Sequence, residues 1–405
     1  MFVLQSQYSV KYYLPGQSLK QMDMTFLFWL FLLLSVFSYF IYPFTLLLLN
    51  KFKARNRSYG TVEDAQEYPD VTLIVTAYNE EKRITDKIEN SLALEYPEGK
   101  LALVVASDSS TDATDTIVQS YADRNIRLVR AEERLGKENA QLTAIKTVDN
   151  GIIVFSDVAT RIEPDGILKL VRYFDDPEVG AISSEDRFVS KDGSVAGEGA
   201  YVKYEMWLRK QESRLAGLVG LSGSFFAARV EVCEQWDIHS PSDFNTALNC
   251  VQAGYKAVTA PDVLGFYTDL ADPSKEYARK IRTVIRGMTA LERHTEVLNP
   301  AKFGLFAYQV FAHKLLRWTV PWTLLGLFIV TPFCMMDEGG FYVLAYLGQL
   351  AFYGIAIAAH WSASLRDKSW AKIIYFFTQV NIALLDAGIQ FLSGKRMTVW
   401  QPSDR

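Results

Sequence analysis

The order of apolar and polar positions divides the chain into three stretches. Met24 to Leu49 contains no charged residue, and about 25 apolar positions suffice to cross a hydrocarbon core about 30 Å thick. From about residue 58 to 298 the pattern alternates. Apolar runs at Val71–Thr76, Leu101–Ala106, Ile126–Val129, Ile152–Phe155 and Val179–Ser183 predict strands. Amphipathic stretches at Glu81–Leu94, Asp112–Tyr121, Lys137–Thr147 and Glu163–Phe174 predict helices between them. Near-continuous apolar strands separated by amphipathic helices predict an α/β domain with a parallel sheet covered on both faces. Beyond it, Thr319–Met336, Phe341–Ser364 and Ile373–Leu392 are again apolar.

Between these lies residues 299–318, where Phe303, Phe306, Phe311, Leu315 and Leu316 alternate with Lys302, His313, Lys314 and Arg317. That pattern predicts a helix lying in the membrane interface. The expected organisation is therefore an N-terminal segment, residues 1–57, with one span (about 24–49), a domain of soluble composition at 58–298, the interface helix, and a membrane region at 319–405 with two or three spans. The first span exceeds the roughly 7–15 apolar residues of a secretory signal. Lys51, Lys53, Arg55 and Arg57 follow it, and Arg366, Lys368 and Lys372 precede the last apolar stretch. Basic residues concentrate on the cytoplasmic side, so the central domain is expected in the cytoplasm, on a multi-pass protein of the inner (plasma) membrane. If Ile373–Leu392 spans, Lys395 and Arg396 fall outside, against the rule. A re-entrant or interfacial helix would keep them inside. Asp386 is costly at a bilayer centre, so the stretch either spans with Asp386 facing protein or lies at the interface.

Composition removes several classes. The net charge is −4, which gives no footprint for nucleic acid. The three cysteines, Cys233, Cys250 and Cys334, are too few and too scattered for a disulfide framework or a zinc site. The chemistry collects instead at predicted strand ends: Ala77-Tyr78-Asn79-Glu80, Ser107-Asp108-Ser109-Ser110 and Ser156-Asp157-Val158-Ala159-Thr160. Open α/β sheets bind ligands there. Asp112 reads as a helix cap. Asp243, which opens a helical pattern, is either a cap or a ligand-facing carboxylate. Flanking apolar segments make this a membrane-bound enzyme with a soluble, phosphorylated donor.

Seven pieces, in order, sharpen the reading: Thr76-Ala77-Tyr78-Asn79-Glu80-Glu81, Ser107-Asp108-Ser109-Ser110-Thr111-Asp112, Arg134-Leu135-Gly136-Lys137, Phe155-Ser156-Asp157, Ser222-Gly223-Ser224-Phe225-Phe226, Ser242-Asp243-Phe244 and Arg279-Lys280-Ile281-Arg282-Thr283. The chain resembles the membrane-bound family-2 inverting glycosyltransferases, in particular processive synthases like those of cellulose, chitin and hyaluronan. The resemblance covers about residues 70 to 290. It implies a nucleotide-diphospho-sugar transferase (GT-A-like) domain, a UDP-sugar donor and a glycan or lipid-linked acceptor. Asp243 matches the family's base position. Asp157 matches the first carboxylate of its metal motif, Asp-x-Asp, which implies a divalent Mg or Mn ion. Asp108 resembles the residue that bonds uracil, with Ala77, Tyr78, Asn79 and Glu80 lining the same pocket. Lys137 would sit near the phosphates. Arg279 and Arg282 occupy the first and fourth positions of the Gln-x-x-Arg-Trp motif and would clamp the diphosphate.

Two positions depart from that family. Ala159 stands where the second metal carboxylate belongs, with Glu163 and Asp165 as either substitutes or helix starters. Thr283 replaces the tryptophan at the acceptor end, which weakens the case for a long-chain polymerase. Tyr201, Tyr204 and Trp207 are either core packing or part of an acceptor channel. Rival readings are single-sugar transfer to a polyprenyl phosphate or lipid, an inactive nucleotide-binding scaffold, and a transporter subunit. The chemistry itself sets the needs: a carboxylate to take the acceptor proton, and a metal or a basic clamp for the leaving diphosphate.

Overall fold

A computed structural model describes residues 15–53, 68–189, 200–268 and 273–397. The chain forms two compact units, one of residues 1–41 with 316–385 and one of residues 42–315 with 386–405. The apolar N-terminal stretch lies in α1 (Pro15–Val36), a π-turn at Phe37–Ile41, and α2 (Tyr42–Lys53).

The domain then alternates as its pattern predicts. β1 (Val71–Ala77) leads to α3 (Ile84–Leu92), β2 (Leu101–Ser107) to α4 (Thr114–Gln119), and β3 (Ile126–Arg130) to α5 (Lys137–Ile145). β4 (Ile152–Asp157) is followed by the two-residue β5 (Arg161–Ile162), α6 (Gly166–Val171) and the long β6 (Val179–Val189). After α7 (Ala200–Leu215) come β7 (Phe225–Arg229), the single turn α8 (Val230–Cys233), α9 (Ser242–Gln252) and β8 (Lys256–Thr268). The helices are shorter than their amphipathic stretches. The first four strands run one or two residues longer, because small or polar residues such as Ala77, Ser107 and Asp157 continue the pairing.

The strands form one sheet in the order β3-β2-β1-β4-β7-β6-β8-β5. The expected parallel sheet is correct for β3, β2, β1 and β4. The whole is mixed, however: β7 runs antiparallel to β4 and β6, and β5 antiparallel to β8. A strand buried on both faces, as Phe225-Phe226-Ala227-Ala228 is at 0% exposure, shows the same apolar run in either direction, so the hydrophobic pattern carries no sign of its polarity.

Alternate residues of each strand feed two cores. Leu73, Val75, Val105 and Val154 pack with Ile84 and Ile88 of α3 and Ile167 and Leu170 of α6. Ile74, Val104, Ile153 and Phe155 pack with Ala140 and Ala144 of α5 and Ala247 and Cys250 of α9. Phe155 stacks between Phe226, 4.7 Å away, and Trp236, 5.0 Å away. Each such side chain contributes about 1.5–3 kcal/mol when withdrawn from water.

α10 (Pro273–Arg293) closes the domain, followed by α11 (Pro300–Val310), a π-turn at Phe311–Leu315 and α12 (Leu316–Glu338). Residues 299–318, expected as one interface helix, fall in α11, the π-turn and the start of α12. Asn299 caps the start through Ala301 N–H at 3.0 Å, and Gly304 then leaves helical geometry at φ 53°, ψ −125°. His313 and Arg317, expected on a basic outer face, are buried. Each has found a partner: His313 Nδ1 lies 2.5 Å from Glu212 Oε1, and Arg317 stacks over Tyr39 at 5.1 Å.

Within the first unit, α12 packs on α1. A Cβ at Gly326 would meet the Phe31 ring at 2.8 Å, so glycine permits the approach. Ser35 and Thr323 bond across it at 2.8 Å, and Phe28 packs with Leu327, Val330 and Tyr342. Tyr342 belongs to α13 (Phe341–Trp361), which the short α14 (Ala363–Arg366) separates from α15 (Ser369–Leu392). Among the described residues, four stretches, Met24–Phe52, Pro300–Met336, Phe341–Trp361 and Ser369–Leu392, are long and apolar enough to cross a membrane.

Candidate active site

The carboxyl ends of β1, β2 and β4 lie side by side, and two of the turns leaving them are strained. Asn79 and Ser109 sit in the left-handed region at φ 52° and 54°, where non-glycine residues are uncommon. Hydrogen bonds hold them there. Asn79 Oδ1 accepts from Thr111 N–H at 2.8 Å, and the Ser109 hydroxyl donates to the Ala131 carbonyl at 2.7 Å. The turn after β1 is thus sewn to the turn after β2. Ala77 is buried, and its carbonyl accepts from Asp108 N–H at 2.9 Å. Glu80 is buried and takes Arg83 Nε at 2.7 Å, while its own N–H donates to Thr114 Oγ1 at 2.7 Å. These bonds make Glu80 a fixture of the turn. Asp112 bonds Thr114 N–H at 3.0 Å, a cap-like role.

Residues 134–137 converge on the same ends. The Arg134 guanidinium covers the Tyr78 ring at 3.9 Å, within cation–π range. Gly136 N–H lies 3.1 Å from both oxygens of Asp108. Gly136 has φ 107°, a conformation left to glycine. Asp108 is 1% exposed, and burial pushes its carboxyl up despite hydrogen bonds from the Gly136 and Leu135 backbone and the nearby Arg134. Asp108 therefore holds the loop that delivers Lys137. The Lys137 ammonium in turn lies 2.5 Å from Asp157 Oδ1 and donates to the Gly223 carbonyl at 2.9 Å.

Asp243 meets that cluster from the other side. It lies in the first turn of α9, one residue past Ser242 and two past Pro241 at the cap position. Its Oδ1 accepts from Phe244 N–H at 2.9 Å, and a Cβ added at Gly223 would come within 3.2 Å of its Oδ2. Gly223 thus lies beside both the Lys137–Asp157 pair and Asp243. On α10, Arg279 and Arg282 are both half-buried, three residues apart and so on one face. Burial, with Arg286 and Arg279 as neighbours, pulls the Arg282 pKa down from its usual value.

Three residues emerge that the motifs did not include. Lys87, on α3, is 2% exposed and donates to Ser156 Oγ at 2.7 Å and the Thr160 carbonyl at 2.6 Å. Burial lowers its pKa to about 7, against the raising effect of Asp157. The signal was in the chain: Lys87 falls in the apolar stripe Ile84, Lys87, Ile88, Ser91. Asp186, on β6, accepts from the Ser222 hydroxyl at 2.6 Å and from the Ser224 hydroxyl. Burial pushes its carboxyl up, opposed by both serines and Arg209 and reinforced by Asp157. Arg209 Nη2 donates to Ser183 Oγ at 2.6 Å, which also accepts Ser222 N–H at 2.8 Å. Periodicity alone places neither residue near the site.

For a divalent cation, the donor set is Asp157, whose side chain keeps 28% of its surface exposed. Glu163 and Asp165 pair instead with Lys169, at 3.3 and 2.9 Å. Among the described residues no three His, Cys, Asp or Glu side chains cluster as a metal site. Mg²⁺ keeps several waters and takes one or two carboxylates, so Asp157 fits an ion held largely by water and donor phosphates. Tyr201, Tyr204 and Trp207 follow one another along α7, with ring centroids 6.5 and 6.3 Å apart.

Comparison with known proteins agrees with this geometry. Residues 72–236 match the model of glycosyl transferase family 2. The chain is 27% identical over 180 residues to a poly-β-1,6-N-acetyl-D-glucosamine synthase of Staphylococcus epidermidis, a match covering 43% of each chain. It is 28% identical over 199 residues to a β-monoglucosyldiacylglycerol synthase of a Nostoc species, covering 47% of this chain and 42% of that one. The match thus spans less than half the length of these curated relatives. The fold is that of a solved mannosyltransferase from Pyrobaculum calidifontis, in complex with GDP-Man and Mn²⁺, with a TM-score of 0.69 at 23% identity over 92% of this chain and 100% of that one.

Proposed function

Because the chain carries a glycosyl transferase family 2 domain, we propose that it is an inverting glycosyltransferase. It moves a sugar from a UDP-sugar donor to a growing polysaccharide or lipid-linked glycan at the cytoplasmic face of the membrane. The observation that supports this reading is that Lys137 bonds both Asp157 and the Gly223 carbonyl while the Asp243 carboxylate lies on the open side of Gly223, which brings a basic group and a separate carboxylate to one short loop. Tyr78, Asn79 and the Asp108-held loop receive the nucleotide. Asp243 takes the proton from the acceptor hydroxyl as it attacks the anomeric carbon. The bond to the diphosphate breaks on the opposite face, and Lys137, Arg279 and Arg282 neutralise the charge that develops. A divalent Mg or Mn ion, when bound at Asp157, would add Lewis-acid stabilisation of the same diphosphate.

The relatives' names speak of a polymer in one case and a glycolipid in the other. Thr283, in place of a tryptophan, favours keeping single-sugar transfer to a lipid as the second reading. The tail supports a topology. Arg396 donates to Glu292 of α10 through Nε at 3.0 Å and Nη2 at 2.9 Å, which supports a tail on the side of the catalytic unit. Asp386 finds partners in Gln390 at 2.8 Å and Tyr277 at 3.4 Å. In this reading α15 is re-entrant or interfacial, and the catalytic domain and tail are both cytoplasmic.

The test is nucleotide release by the purified chain in detergent from a panel of UDP-sugars and GDP-mannose, with product size read by gel and mass spectrometry. Release from a UDP-sugar, reduced roughly 10²–10⁴-fold in Asp243→Asn, is expected. Absence of release from every donor would leave the scaffold reading in its place.

A further inference from the structure

Glu138 follows Lys137, belongs to none of the motifs, and is 2% exposed. Its Oε1 accepts from Arg286 Nη2 at 2.6 Å and from Ser242 N–H at 3.4 Å. Its backbone carbonyl accepts from the buried Trp236 indole at 3.0 Å. Ser242 immediately precedes Asp243. Arg286 lies one helical turn beyond Arg282 and two beyond Arg279 on α10. From the helix that presents the diphosphate lysine, one carboxylate therefore touches the two elements that present the base and the arginine clamp.

Stability does not account for the pair. Two buried charges lose their hydration, and well-packed apolar residues in their place are often as stable or more so. The bonding here is also incomplete: Glu138 Oε2 and Arg286 Nε have no hydrogen-bond partner. A buried carboxylate with one shared oxygen does impose direction, because Arg286 and the α9 N-terminus must both point at it. An apolar contact could slide along α10 without penalty, whereas this contact fixes the register of the helix against Lys137.

We infer that Glu138 and Arg286 are positioning residues that set the Arg279–Arg282 face of α10 and the first turn of α9 against Lys137. This rests on the proposed reading of the site. The pair touches no reacting atom; it acts through Arg282 and Asp243.

The experiment uses the full chain in detergent, with UDP release from an equimolar mixture of UDP-glucose, UDP-galactose and UDP-N-acetylglucosamine as the readout. Glu138→Gln keeps an acceptor for Ser242 N–H and removes the charge. The double variant Glu138→Met/Arg286→Met replaces the pair by apolar packing. Both should melt within a few degrees of wild type, keep donor KM within about threefold, and lose about 10–100-fold in kcat, the usual cost of removing a group that orients a ligand-binding side chain. Adding Arg282→Ala to Glu138→Gln should cost less than the product of the two single losses, since one acts through the other. If the double variant fails to fold, Glu138→Gln and its cycle with Arg282→Ala carry the test alone. Wild-type kcat in Glu138→Gln, or losses that multiply fully, would overturn the positioning role while the wild-type enzyme still turns over. No turnover by wild type itself would overturn the reading of the site, and this role with it.

Discussion

Lys87 places its ammonium 2.6 Å from the Thr160 carbonyl, at the far end of the turn that begins with Asp157. The same nitrogen holds Ser156 Oγ at 2.7 Å, at the near end. Three residues along α3, Asn90 exchanges two bonds of 2.9 Å with the Ile162 backbone. One face of α3 therefore grips the segment 156–162, which carries Asp157 and Ala159. Lys87→Met should lower kcat roughly 10–100-fold with donor KM nearly unchanged. Steady-state UDP release checks this, and equal loss in kcat and in folded fraction would mark Lys87 as structural only.

Gly223 has no room for a side chain on the Asp243 side. A methyl group there would lie 3.2 Å from the carboxylate oxygen, so the carboxylate must give by a few tenths of an ångström. Gly223→Ala should therefore reduce turnover more than it reduces thermal stability. Paired melting curves and initial rates decide it; a fall in stability with normal rates would move the effect away from Asp243.

Chelation tests the single-carboxylate cation site. EDTA should suppress transfer, and Mg²⁺ or Mn²⁺ should restore it, with Asp157→Asn shifting the restoring concentration upward. Full turnover in chelator would mean that Lys137 and the arginines carry the diphosphate charge alone.

Arg282→Ala should lower kcat by about 10² and raise donor KM far less, because charge on the diphosphate grows toward the transition state. Arg282→Lys should recover part of the loss, since lysine keeps the charge and lacks the fork. Normal kinetics of Arg282→Ala in neutral detergent, with a defect only in anionic membranes, would assign the arginines to lipid headgroups.

Asp237 gives a pH-dependent stability. Burial disfavours its charge, but Arg293, bonded through Nε at 2.5 Å and Nη2 at 3.1 Å, the His239 N–H and the Ser240 hydroxyl outweigh that and hold the carboxyl below the usual range. A carboxyl depressed in the folded state stabilises above its unfolded pKa, and the contribution is lost as pH falls through the folded value. Asp237→Asn should therefore lower Tm near neutral pH, and the gap to wild type should close as pH drops below 3.8. A gap that stays constant across that window would exclude the linkage.

Much of the fold was written in local pattern. Five strands and four helices of the domain follow from apolar runs and amphipathic stretches, because burial on a sheet face or helix stripe demands apolar side chains at fixed spacing. The same is true of the long uncharged segments. The apolar runs likewise placed Asp108 and Asp157 at the carboxyl ends of β2 and β4, the edge at which open α/β sheets bind ligands. Tertiary structure decided the rest. The reversal of β7 depends on where the chain re-enters the sheet, which a doubly buried strand does not encode. His313 and Arg317 looked like a basic outer face because sequence shows spacing and not partners; Glu212 and Tyr39, distant along the chain, draw them inside. Asp186 and Glu138 escaped notice for the same reason. Each is a buried charge tolerated only because a remote residue meets it, and that meeting exists only once the chain has folded.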